Sequence, residues 1–346
     1  MKTIIRNLLM CLALILCVGV IAGCTNVENS NSESSVAPNS SENSTTAENS
    51  SPKKKDLRFV IVPKVVHPWF DEVNKGAQEQ AKILESQLGV KITIDYVAPT
   101  TADVAEQNSI LEKAAATRPD GIAVDPLDAV GNKQVLDEIR KQGINVIVFD
   151  SPSPEGSGLT SVGNDFYLQG VIAAERLAKL LNYKGKVAIM KGVPTAPNHQ
   201  VRYEAQVATL KKYPGITIID GGIDNDDIQT AQQQAAAVLA SNPDLNGYLM
   251  CDAAGPIGIA AAIKEAGKQG KVIAVGMDSL KPILEAVKEG TLESSSATKP
   301  RMQGAMSVLM LWQATLGVKL PEKVDTGIDV ITKENVDEFL KLANNE

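Results

Sequence analysis

The 346-residue chain is predicted to adopt an α/β fold of doubly wound parallel sheets, on three observations. Eight short β-branched runs recur between residues 59 and 278. Stretches of helical period separate most of them, and alternating strand and helix is the pattern of βαβ units. The runs are apolar throughout rather than at every second position, as burial on both faces of a sheet requires. A body beginning near residue 57 has the length of two domains.

The chain opens with MKTIIRNLLMCLALILCVGVIAGC (1–24). Lys2 and Arg6 precede an apolar stretch from Leu8 to Ile21, short for a membrane span and matched to the h-region of a secretory signal. Ile21-Ala22-Gly23-Cys24 closes it and resembles a bacterial lipobox, so 1–23 is expected to be a signal peptide and Cys24 the lipidated residue. Residues 24–56 follow as a tether: 25–55 contain nine Ser, six Asn and no aromatic residue. That composition cannot bury enough apolar area to offset chain entropy, so disorder is expected.

The body then reads in order. FVIVP (59–63) is a strand and DEVNKGAQEQAKILE (71–85) a helix. KITIDYV (91–97), GIAVDP (121–126) and NVIVFD (145–150) are strands, with helices over 103–117 and 129–143 between them. KVAIMKG (186–192), ITIIDGG (216–222), GYLMCDA (247–253) and KVIAVGMD (271–278) continue the strands, with helices over 229–241 and 257–267. SVLMLWQATLG (307–317) is an apolar helix with Trp312 in the core.

Polar residues cluster at one place in this pattern. Asp125, Asp150, Asp252 and Asp278 fall at strand C-termini, and VVHPWF (65–70) puts Trp69 and Phe70 just past another. An Asp after a strand commonly caps the next helix; repetition at one topological position points instead to a ligand crevice beyond the strand ends. Carboxylates accept from sugar hydroxyls, Arg and Asn donate to them, and the apolar faces of a sugar ring lie against Trp and Phe. Trp69 and Phe70 thus read as a stacking platform.

Several classes fall away. A dinucleotide enzyme needs G-x-G-x-x-G after its first strand, and here the turn is PKVVHPWF. A net charge of −7 gives no electrostatic footprint for nucleic acid. His67 and His199 are the only histidines, with no cluster at metal spacing, so neither metal nor cofactor is expected. Once the leader is removed and Cys24 acylated, Cys251 alone remains, a small buried residue rather than a nucleophile.

Ordered landmarks carry a family resemblance: HPWFDEVNKGA (67–77), DGIAVDPLDA (120–129), INVIVFDSPSP (144–154), SVGNDFYLQG (161–170), CDAAGPIGIAAAI (251–263) and VGMDSL (275–280). Over about 57–330 the chain resembles the ribose/galactose class of periplasmic sugar-binding proteins, the type I solute receptors of ABC importers. The resemblance implies two lobes joined by a three-segment hinge near Asn164, Thr298 and Gly327. The first lobe would hold 57–163 with 299–327, the second 164–298 with 328–346. It implies a non-enzymatic, monomeric receptor that closes on a monosaccharide and presents it to a membrane permease. Carried over by position, the ligand contacts would be His67, Trp69, Phe70, Asp150, Ser151, Asn198, Arg202, Asp252, Asp278 and Thr298. Asn225 stands where the family often has a second aromatic residue. His67, Ser151, Asp252 and Thr298 also depart from common choices, so the sugar is not one of the commonest. A furanosyl signal or a polyol, or a receptor that serves a membrane sensor, remains open.

Overall fold

A computed structural model describes residues 55–344; the expected leader, Cys24 and nearly all of the tether lie outside the described residues. The first elements are β1 (Leu57–Val62), α1 (Pro68–Leu88), β2 (Ile92–Tyr96), α2 (Val104–Ala116), β3 (Gly121–Val124), α3 (Lys133–Lys141), β4 (Asn145–Phe149) and β5 (Thr160–Gly163). Next come α4 (Phe166–Leu180), β6 (Lys184–Lys191), α5 (Pro197–Leu210), β7 (Gly215–Ile223), α6 (Ile228–Ser241), β8 (Gly247–Leu249), α7 (Ala254–Glu265), β9 (Ile273–Met277), α8 (Lys281–Glu289) and β10 (Ser294–Ala297). The chain finishes with α9 (Pro300–Thr315), β11 (Lys323–Asp325), β12 (Asp329–Thr332) and α10 (Val336–Asn344).

The strands form two six-stranded sheets, ordered β11-β5-β4-β3-β1-β2 and β12-β10-β9-β8-β6-β7. The first is parallel throughout, and in the second β12 alone runs antiparallel, against β10. The two-faced burial expected from sequence is explicit. Along β1, Phe59 and Ile61 enter one apolar cluster while Val60 and Val62 enter another on the opposite face. Along β6, Val187 and Ile189 divide in the same way from Ala188 and Met190. Trp312 packs half-buried against the cluster that contains Phe59.

All eight strands read from the sequence are present. The four that were not, β5, β10, β11 and β12, are three or four residues long, and one reads SSSA. Such segments become strands by pairing, not by apolar pattern. They also mark where the chain changes sheet. After β5, α4 packs beside β9; after β10, α9 packs against α1; after β11, which pairs with β5, the chain enters β12. Strand C-termini from both sheets converge on one small enclosed space.

Candidate functional site

On the first-sheet side, His67 caps α1, with Pro68 in the first helical turn. Its Nδ1 accepts from the Trp69 backbone N–H at 3.1 Å. An accepting Nδ1 places the ring proton on Nε2, a buried donor without a partner. Burial holds the ring below its usual pKa, hence neutral. Trp69 and Phe70 are 4% and 3% exposed and belong to the first-sheet core. Their rings meet edge to face at 5.0 Å and 85°, so they form a corner rather than one flat platform. Trp69 Nε1 reaches across to Asp278 Oδ1 at 3.2 Å and Thr298 Oγ1 at 3.0 Å.

Lys64, two residues beyond β1, is 1% exposed. Its ammonium lies 3.3 Å from Asp125, 3.8 Å from Asp150 and 3.9 Å from Asp226, and donates to Asn198 Oδ1 at 3.2 Å. Burial lowers its pKa, but the three carboxylates outweigh burial and raise it, so the charge is kept. Asp125 follows β3, and Ser151 Oγ donates to it at 2.6 Å. Asp150, just past β4, takes an Asn198 amide hydrogen at 2.8 Å and lies 3.6 Å from Arg202 Nη2. Burial pushes both carboxyls up, Asp125 to about 6 and Asp150 to about 7, against the pull of Lys64 on the first and of Arg202 on the second.

The second sheet supplies the rest. Asn198, His199 and Arg202 lie in the first turns of α5, with Asn198 and Arg202 four residues apart on one face. Arg202 is held by Gln169 Oε1 at 2.8 Å and the Cys251 carbonyl at 3.2 Å, and it stacks over Phe166 at 5.1 Å. His199 Nδ1 accepts from the Val193 N–H at 2.9 Å, and its Nε2 lies 3.8 Å from Asp226. Asp252 Oδ1 accepts from the Gly255 N–H at 3.1 Å, while its Oδ2, like that of Asp224, is buried without a hydrogen-bond partner. Burial and the neighbouring Asp224 and Asp226 drive Asp252 far up, so it keeps a proton. Asp226 moves the other way: burial opposes its charge, but the Lys64 ammonium 3.9 Å away holds it below the usual carboxylate range. Asp278 accepts from the Thr298 hydroxyl.

Three of these aspartates carry positive φ: Asp150 at 46°, Asp226 at 60° and Asp278 at 67°. Asp tolerates the left-handed region better than most residues, and such conformations gather at ligand clamps.

The groups surround a cavity of about 20 Å³, which holds one water-sized sphere and no sugar. His67, Trp69, Phe70, Asp150, Arg202, Asp252 and Asp278, all read from the sequence, line it. Ser151, Asn198 and Thr298 sit one hydrogen bond behind, on Asp125, Asp150 and Asp278. Asn225 is exposed, and its neighbour Asp226 lines the cavity instead. Lys64 and His199 also line it and escaped the sequence reading. A lone lysine past a strand has no periodic signal; its position, matching that of the strand-end aspartates, was the only cue. Cys251 is buried and its thiol pKa is pushed up by burial, which removes it as a nucleophile. Among the described residues no acidic, histidine or cysteine group could hold a metal ion, and no helix is long and apolar enough to cross a membrane.

A family model described as a periplasmic binding protein domain matches residues 59–319. The D-allose-binding periplasmic protein of Escherichia coli (strain K12) is 24% identical over 266 residues, 74% of this chain and 83% of that protein. Among solved structures, a solute-binding protein from Burkholderia graminis C4D1M in complex with D-arabinose superposes with a TM-score of 0.76 at 28% identity. It covers 81% of this chain and 96% of its own. A solute-binding protein from Agrobacterium vitis with bound D-fucose gives 0.77 at 27% identity, over 83% and 99%.

Proposed function

The chain belongs to the periplasmic binding protein domain family, and from that premise we propose that it is the extracytoplasmic receptor of an ABC importer, binding a monosaccharide between its two lobes. The observation that carries this is the enclosed polar space between the two sheets. Trp69 and Phe70 wall it on one side, and Asp150, Arg202, Asp252 and Asp278 supply acceptors and a fixed donor. Relatives that carry D-allose, D-arabinose or D-fucose in their names or complexes support the ligand class.

The lobes would comprise 57–163 with 299–327 and 164–298 with 328–346, in keeping with the three changes of sheet. Direct bonds cross the cleft: Trp69 to Asp278, Lys64 to Asn198, and Asn198 to Asp150. A cavity of about 20 Å³ cannot admit a sugar, so entry requires the lobes to part and Lys64 to withdraw. A sugar touching both lobes then favours a form closed around itself, with Lys64 displaced, by its differential affinity for that form. No bond is made or broken, and a permease reads the closed outline. The receptor would act as a monomer, held to the membrane by a lipid on Cys24, a reading that rests on the leader sequence.

The test is a thermal-shift screen of the purified full chain against monosaccharides, polyols and furanose signals. A ligand at one hundred times its dissociation constant adds about 2.7 kcal/mol of stability. A clear shift with one monosaccharide names the cargo. A blank panel from a cooperatively unfolding chain rejects the reading.

A further inference from the structure

We propose that this site, on the reading that it binds a sugar, takes an aminated one: a hydroxylated ring carrying a primary ammonium seated against Asp252 and Asp278. Asp150, Asp226, Asp252 and Asp278 line one small cavity, and Asp125 and Asp224 are buried too, Asp125 3.3 Å from the cavity-lining Lys64. Only Lys64 and Arg202 answer them among the described residues, and neither pairs with Asp224, Asp252 or Asp278. Lys64 pairs with Asp125, Asp150 and Asp226, and Arg202 with Asp150. The two histidines do not make up the deficit, because burial keeps both neutral.

A buried carboxylate must be paired or protonated. Asp252 and Asp224 each keep a buried carboxyl oxygen without a hydrogen-bond partner, and burial raises both pKa values, which favours the protonated form. A neutral sugar brings O–H donors but no charge. An ammonium brings three N–H donors and the missing charge, and the carboxyl it meets gives up its proton to solvent.

A second observation fixes the rest of the ligand. His67 Nε2–H is a buried donor without a partner on the same cavity. It calls for an acceptor oxygen, which a ring hydroxyl offers and a bare polyamine does not. Trp69 and Phe70 wall the cavity as a corner rather than a flat face.

The experiment is titration calorimetry of the purified full chain at about pH 6.5, where unperturbed carboxyls are ionised. The probes are D-glucosamine, D-galactosamine, D-mannosamine and the 3-amino and 6-amino deoxyhexoses, each beside its neutral parent and its N-acetyl form. One amine should bind about tenfold or more tightly than its parent. It should release protons, seen as a heat that varies with buffer ionisation enthalpy, and acetylation should abolish the advantage. Asp252→Asn should bring the amine-to-parent ratio to about one, and Asp278→Asn serves if that variant does not fold. Neutral parents binding as well as their amines would overturn this inference and leave the sugar reading standing. No binding by any sugar, amine or neutral, would overturn both.

Discussion

At the residue scale the site is governed by one lysine among too many acids. Lys64 is the sole described lysine within ion-pairing reach of Asp125, Asp150 and Asp226. Lys64→Met keeps length and apolar bulk but leaves three buried carboxyls without their cation. Breaking a buried pair in this way costs about 3–5 kcal/mol, so the urea midpoint should fall accordingly; an unchanged midpoint would mean that the ammonium is not buried among them in solution. The same acids set a pH dependence. Asp125, Asp150 and Asp224 are raised to about 6, 7 and 7, and Asp252 well above its ordinary value, mainly by burial. An unfolded carboxyl titrates near 4. The folded chain therefore binds more protons between about pH 4 and 7, and its stability falls as pH rises through that window. His67 and His199, held below their ordinary value, work in the opposite direction, but two groups oppose four. Depressed Asp226 and raised Lys64 act outside the window, below and above it. Melting temperature should be higher at about pH 5 than at about pH 8, and scanning calorimetry showing the reverse would contradict the assignment.

At the element scale the first lobe hangs on the pairing of α1 with α9, distant in sequence and packed side by side. Gly76 and Gly304 make the approach possible. A Cβ on Gly304 would strike the Val73 carbonyl, and one on Gly76 the Arg301 carbonyl. Gly304→Ala improves helix propensity yet forces the helices apart. The net effect should be a loss of about 1–3 kcal/mol from overpacking, measured by denaturant unfolding. A stabilised variant would show that the two helices can separate freely. The motif GAQEQA after HPWFDEVNK announced a helix, but nothing in it announced α9 as the partner. Likewise α5 is helical with a cap that makes no side-chain hydrogen bond, and only its packing brings His199 to the cavity beside Arg202, whose ligand contact the resemblance had implied.

At the scale of the whole molecule, side chains bond directly between the two sheets, as Trp69 to Asp278 and Lys64 to Asn198 do, and on the proposed reading a ligand would part them. Closure is thus a balance between direct contacts such as Trp69 to Asp278 and the opening needed for entry. A sugar that bridges the lobes should lower the radius of gyration in small-angle scattering by drawing an open fraction closed. Trp69→Phe, which keeps a ring but loses the indole donor, should leave the chain more open without ligand. A radius indifferent to both would remove lobe motion from the mechanism.

The sequence by itself determined the alternation of strand and helix, the burial of each sheet on both faces and the row of acids at strand ends. These are local facts: apolar runs with β-branched residues choose strands wherever they lie, and a strand buried twice cannot alternate. It also determined most of the cavity wall, because strand ends fix a residue's place to within a position or two. Tertiary structure decided the remainder. SSSA became β10 because β9 and β12 stood ready to pair with it. Asp226 turned inward and Asn225 outward in a loop whose backbone is left-handed at both residues. Lys64 came to the centre because carboxylates from three separate loops surround it, and the energy that keeps it charged exists only once they have been brought together.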